Sequence, residues 1–162
     1  MDNLKLVYAY DRPDEVGELF KEYTDMLIAG DRAFAEYLKL QKYDKELKNP
    51  ASKYGMPEGR LYLAYYEDQL AGCVGLKKLD EEGRCELKRM YVRPQFRGKK
   101  MGERLLEVVL KDAKEIGYTA MLLDTLPFLE SAIRMYRKKG FYEIPSYNDS
   151  PLDTTIYMKI DL

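Results

Sequence analysis

Tyr91-Val92-Arg93-Pro94-Gln95-Phe96-Arg97-Gly98-Lys99-Lys100-Met101-Gly102-Glu103 leads out of an apolar strand, past a proline, into a helical pattern. A helix N-terminus offers backbone N–H groups without intrahelical partners and a partial positive charge, so it attracts phosphate. Glycines let an anion approach the main chain closely. Arg97, Lys99 and Lys100 add charge at the same place. The stretch fits neither G-x-x-x-x-G-K-[ST] nor G-x-G-x-x-G, which excludes the common nucleoside-triphosphate and dinucleotide cradles.

The charge around this loop is uneven. From Glu86 to Arg104 there are seven basic residues against two acids, while the whole chain carries −1. A focused positive patch in an otherwise acidic protein suits one compact polyanion better than a nucleic-acid track. Taken alone, the same run also fits a solvated surface loop.

Working outward, apolar periodicity orders the rest of the chain. Leu4, Leu6 and Tyr8 alternate as a short strand, and Asp14 to Ala29 and Ala33 to Leu47 have helical spacing. Asn49 to Gly59 reads as a loop because of its prolines and glycines. Leu61 to Tyr66 and Leu70 to Leu76 form a hairpin, and Cys85 to Val92 adds a third antiparallel strand. Glu103 to Ile116 is a helix stopped by Gly117, Ala120 to Leu123 a strand buried on both faces, and Ser131 to Lys139 a helix stopped by Gly140. Phe141 to Ile144 and Thr154 to Ile160 close the chain. The order β-α-α-β-β-β-α-β-α-β-β predicts an α/β (α+β) fold of one domain over residues 1–162. Its sheet would be mixed and mostly antiparallel, with about seven strands and four helices. The helical crossover makes the fourth and fifth strands parallel.

Composition removes several chemistries. The 162 residues include no histidine and only two cysteines, Cys73 and Cys85, so His-based triads, zinc clusters and disulfide frameworks are not expected and no metal is called for. Proton transfer falls to carboxylate, tyrosine, lysine, thiol or water. With no apolar run of roughly 20 residues and no secretory leader in MDNLKLVYAYDRPDE, a cytoplasmic chain without a membrane partner is expected.

Arg97-Gly98-Lys99-Lys100-Met101-Gly102 resembles the Q/R-x-x-G-x-G/A signature of the GNAT superfamily of N-acetyltransferases, with Lys100 at its middle glycine. Glu86 to Pro94 looks like that family's fourth strand, and Ala132-Ile133-Arg134-Met135-Tyr136-Arg137-Lys138-Lys139-Gly140-Phe141 like its A-x-x-x-Y-x-x-x-G-F segment, with Leu129 where an asparagine often precedes it. The close resemblance spans about Cys73 to Tyr142. It implies acetyl-CoA as cosubstrate and an amine-bearing small molecule or peptide as acceptor, with direct attack in a ternary complex. It also implies a fourth strand splayed from the fifth, where main-chain groups of Met90, Tyr91 and Val92 meet pantetheine. The Met90 N–H would face the oxyanion. Arg97, Gly98, Lys99, Lys100, Met101, Gly102 and Glu103 would seat the pyrophosphate, with Ala132 and Tyr136 beside the cofactor.

By the same resemblance Glu86 takes the general-base position and Tyr136 the general acid near the sulfur. Plain readings stand beside them: Glu86 as a carboxylate paired with Lys88 or Arg60, and Tyr136 as a core aromatic. Acceptor contacts would come from Tyr37, Tyr43, Tyr54 and Tyr147-Asn148-Asp149-Ser150. Homodimers are common among such proteins, though the chain carries no direct sign of one. Two other classes remain: a catalytically silent CoA-binding regulatory module, and a nucleic-acid binder. The overall acidity and the lack of a stacking array argue against the latter.

Overall fold

The computed structural model describes residues 3–162, with the side chain of Leu40 outside the described set. Strand β1 (Leu4–Tyr8) is followed by helices α1 (Pro13–Gly30), α2 (Phe34–Leu40), α3 (Tyr43–Lys48) and α4 (Ala51–Tyr54). Then come β2 (Arg60–Tyr66), β3 (Gln69–Lys78), β4 (Arg84–Val92), α5 (Met101–Ile116), β5 (Ala120–Thr125), α6 (Glu130–Lys139), β6 (Tyr142–Ile144) and β7 (Ile156–Asp161). The seven strands form one sheet in the order β1-β2-β3-β4-β5-β7-β6. Every pairing is antiparallel except β4 with β5. This is the expected mixed sheet.

Two-residue alternation divides the core between the faces of the sheet. On β2, Leu61 and Leu63 pack with Val16, Leu19 and Phe20 of α1, while Tyr62 and Ala64 pack with Leu105, Leu106 and Val109 of α5. A third cluster joins Leu27 of α1 to Phe34, Tyr37 and Leu38 of α2 and to Leu126 and Leu152, beside the far ends of β4 and β5.

The helix count departs from expectation, with six α-helices among the described residues where four were expected. Ala33 to Leu47 is not one helix, because Lys42 adopts a left-handed conformation (φ 56°) that separates α2 from α3. The break turns Glu46 into the interior, where it is 1% exposed and meets Arg89. The expected loop from Asn49 to Gly59 contains the short α4. Its Tyr54 fits against Gly75 of β3, where a Cβ would lie 2.9 Å from the ring.

Strand β4 carries a bulge. Cys73 pairs with Tyr91 and Gly75 with Lys88, so Arg89 and Met90 together oppose Val74 alone. Arg89 takes up the extra residue at φ 57°.

Candidate active site

The parallel pair opens into a cleft. Strands β4 and β5 are in register only from Arg84↔Ala120 to Glu86↔Leu122. Beyond that point a cavity of about 710 Å³ separates them, lined by Leu87 to Val92, by Leu123 to Thr125, and by the first turns of α5 and α6. Met90, Tyr91 and Val92 therefore all border it. The Tyr91 side chain points away: its hydroxyl donates to Glu22 at 3.3 Å and its ring packs on Tyr23.

At the other end of the cavity lies the N-terminus of α5, which no side chain caps. Arg97, Gly98, Lys100, Met101, Gly102 and Glu103 line it. Gly98 (φ 83°) and Lys100 (φ 60°) both adopt left-handed backbone, so the loop keeps a glycine-like course at Lys100 despite its Cβ. Gly102 is where α5 meets α6; a Cβ there would lie 3.3 Å from Met135 Sδ. The unpaired amides and the two flanking cations suit a diphosphate such as that of coenzyme A.

The basic run is not one surface. Arg89 is buried against Glu46 at 2.7 Å, and Arg93 pairs with Glu18 and Glu22 at 2.7 Å each. Lys99 lies over the Tyr66 ring at 4.9 Å and does not line the cavity. The charge directed at the cavity mouth by this loop comes from Arg97 and Lys100.

Ala132 and Tyr136 of α6 line the same cavity. Tyr136 is 5% exposed, its ring packs on Phe141, and its hydroxyl makes no hydrogen bond among the described residues. Burial raises its pKa far above that of a free phenol, so the hydroxyl stays protonated. A neutral hydroxyl of this kind is a hydrogen-bond donor.

Glu86 borders a second cavity, of about 1020 Å³, on the side of α3 and α4. It is 4% exposed, accepts from the Tyr147 hydroxyl at 2.5 Å, and has Lys88 Nζ at 3.8 Å. The alternative partner, Arg60, pairs instead with Asp112 at 3.6 Å. Tyr37, Gln41 and Lys88 line both cavities, so the two meet there.

Asp124 was not anticipated. It stands at the junction and accepts from the Tyr37 hydroxyl and from Asn148 Nδ2, the latter at 2.8 Å. Asn148 Oδ1 in turn accepts from Tyr157 at 2.9 Å. The expected strand ended at Leu123, one residue short of this carboxylate; a charge directly after four apolar residues was the available signal. Burial, then the adjacent carboxylates, raises the pKa values of Tyr37 and Tyr147, which keeps both hydroxyls neutral.

Of the expected acceptor contacts, Tyr37, Tyr147, Asn148 and Asp149 border the second cavity. Tyr54 does not: it is fully buried (0% exposed), because α4 folds back over β3. Tyr43 lies under the Arg89 guanidinium at 5.4 Å, and Ser150 caps its own loop through Leu152 N–H.

Comparisons with known proteins bear on the family and the fold. The sequence model of the acetyltransferase (GNAT) family matches residues 18–141. An uncharacterised N-acetyltransferase of Schizosaccharomyces pombe is 38% identical over 130 residues, covering 80% of each chain. Another, from Dictyostelium discoideum, is 30% identical and covers 98% of this chain and 99% of its own. Among solved structures, the PaiA N-acetyltransferase of Thermoplasma acidophilum in complex with coenzyme A is 20% identical. It superposes with a TM-score of 0.76 over 98% of this chain and 99% of its own, a likeness of fold. The chain thus belongs to the acetyltransferase (GNAT) family and is an enzyme of the N-acetyltransferase kind.

Proposed function

We propose that the chain transfers the acetyl group of acetyl-CoA to a primary amine in a ternary complex. The observation that carries this reading is a cavity running from the uncapped start of α5, along the open edge of β4, to Asp124, and meeting at Lys88 the second cavity that Glu86 borders. Amides of Met101, Gly102 and Glu103, with Arg97 and Lys100, hold the diphosphate. Bound acetyl-CoA supplies an activated acyl group.

The main-chain N–H of Met90 donates to the carbonyl oxygen as it gains charge, a contribution of roughly 3 kcal/mol for a well-placed donor. Glu86 takes a proton from the amine directly or through water, and Tyr136 donates to the departing sulfur. Acceptors enter through the second cavity.

Thermal unfolding with and without acetyl-CoA is the first test. Ligand at 100 times its Kd stabilises the native state by about 2.7 kcal/mol, and ATP has no such effect. Equal stabilisation by ATP, or none by acetyl-CoA, refutes the site. In turnover, Tyr136→Phe keeps acetyl-CoA binding and lowers kcat, while Glu86→Gln lowers kcat/KM most steeply at low pH. Unchanged rates remove either residue from the mechanism.

A second reading, a silent CoA-binding module, draws on Lys100 and on Leu129, which leaves the start of α6 without a side-chain cap. Thiol release from acetyl-CoA across a panel of amines separates the two.

A further inference from the structure

We infer that the acceptor is a free α-amino acid, its amine held by Glu86 and its carboxylate by Lys88. The inference rests on the transfer reading above and deepens it.

Lys88 carries the argument. Its side chain is 7% exposed, yet its ammonium makes no hydrogen bond among the described residues. The groups that face it are Glu86 Oε1 at 3.8 Å, beyond hydrogen-bond reach, and the Tyr37 ring at 5.9 Å. An ammonium has three donors and no acceptor, so a nearly buried one calls for oxygen ligands. Lys88 lines both cavities, so a ligand in either can reach it. The other buried cation nearby is differently placed: Arg89 is satisfied by Glu46 and Gln41 at 2.7–2.9 Å.

Glu86 shows the complementary vacancy. Tyr147 occupies Oε2, which leaves Oε1 with the loose Lys88 contact and room to accept an N–H. One open acceptor thus stands 3.8 Å from one open donor. In an α-amino acid the ammonium and carboxylate are one carbon apart, so the zwitterion can lie antiparallel to this pair and neutralise both charges. A polyamine would set a second cation against Lys88, and an amine without an acid would leave Lys88 unsatisfied. In the reaction the C–N bond forms and the thioester C–S bond breaks. The ammonium loses two protons, one to solvent by way of Glu86 and one, in net, to the departing thiolate.

The test compares free L-α-amino acids with their α-carboxamides, matched side chain by side chain, by thiol release from acetyl-CoA. Free acids should have a kcat/KM at least tenfold higher than their amides. Lys88→Met should bring the acid-to-amide ratio toward one by raising KM for the acid; Lys88→Gln serves if the first variant folds poorly. Amides used as well as acids, or a ratio unmoved by both variants, overturns the inference. Acetylation of other amines but of no amino acid overturns it while leaving the transfer reading intact. Absence of both acetyl-CoA binding and thiol release overturns the two together.

Discussion

Lys100 occupies a left-handed backbone position at the mouth of the cleft, and its side chain is exposed. An L-residue pays about 1–2 kcal/mol there, which glycine avoids, whereas glycine costs about 0.4–1 kcal/mol through the unfolded chain. Lys100→Gly should therefore raise stability by about 0.5–1 kcal/mol, seen as a rise of a few degrees in Tm. A lower Tm would mean that the lysine contributes more than its backbone strain. At this scale much was legible beforehand. Lys100 stood out as a departure because its neighbours Arg97 and Gly102 kept their pattern. Asp124 escaped because a carboxylate one position past an apolar run looks like the end of a strand, and its partners Tyr37 and Asn148 are remote in sequence.

The elements around the second cavity are tied down by a buried carboxylate and its two cations. Glu46 of α3 receives Arg89 Nε at 2.7 Å and Lys53 Nζ at 2.6 Å. Burial works against the Glu46 carboxylate, but Arg89 and Lys53 overcome it and hold its pKa to about 2, below an ordinary 4.5. Between those values the unfolded chain binds more protons, so this contribution is full above pH 4.5 and is lost as pH falls toward 2. Glu46→Gln should cost about 3 kcal/mol at neutral pH, roughly 10 °C in Tm, because it leaves Arg89 buried without a counter-charge. The gap to the parent protein should close in acid, and a gap constant down to pH 2 would contradict the assignment. This clamp explains why helix periodicity failed between Ala33 and Leu47. The apolar spacing was read correctly, but a buried tertiary pair bent the chain at Lys42, and no local pattern encodes that.

Across the whole molecule, the antiparallel meander and the parallel crossover followed from periodicity and the helix between two strands, the splay of the fourth strand from the fifth was implied by the family resemblance, and the structure has all three. The second cavity did not follow, since it is enclosed by α3, α4 and the segment around Tyr147, whose arrangement depends on long-range contacts. Hydrogen exchange gives a global check: acetyl-CoA should slow amides of residues 90–92 and 101–103 and leave β1 and β2 unchanged. Uniform slowing would point to tightening without a localised seat. No helix among the described residues is long and apolar enough to cross a membrane. The two hollows touch only where Tyr37, Gln41 and Lys88 stand between them, like rooms sharing a doorway. If acetyl-CoA takes one and the acceptor the other, as proposed, neither has to pass through the other's chamber, and initial-velocity plots should intersect. A single molecule joining a pantetheine arm to an acceptor mimic could thread that doorway and bind more tightly than either half.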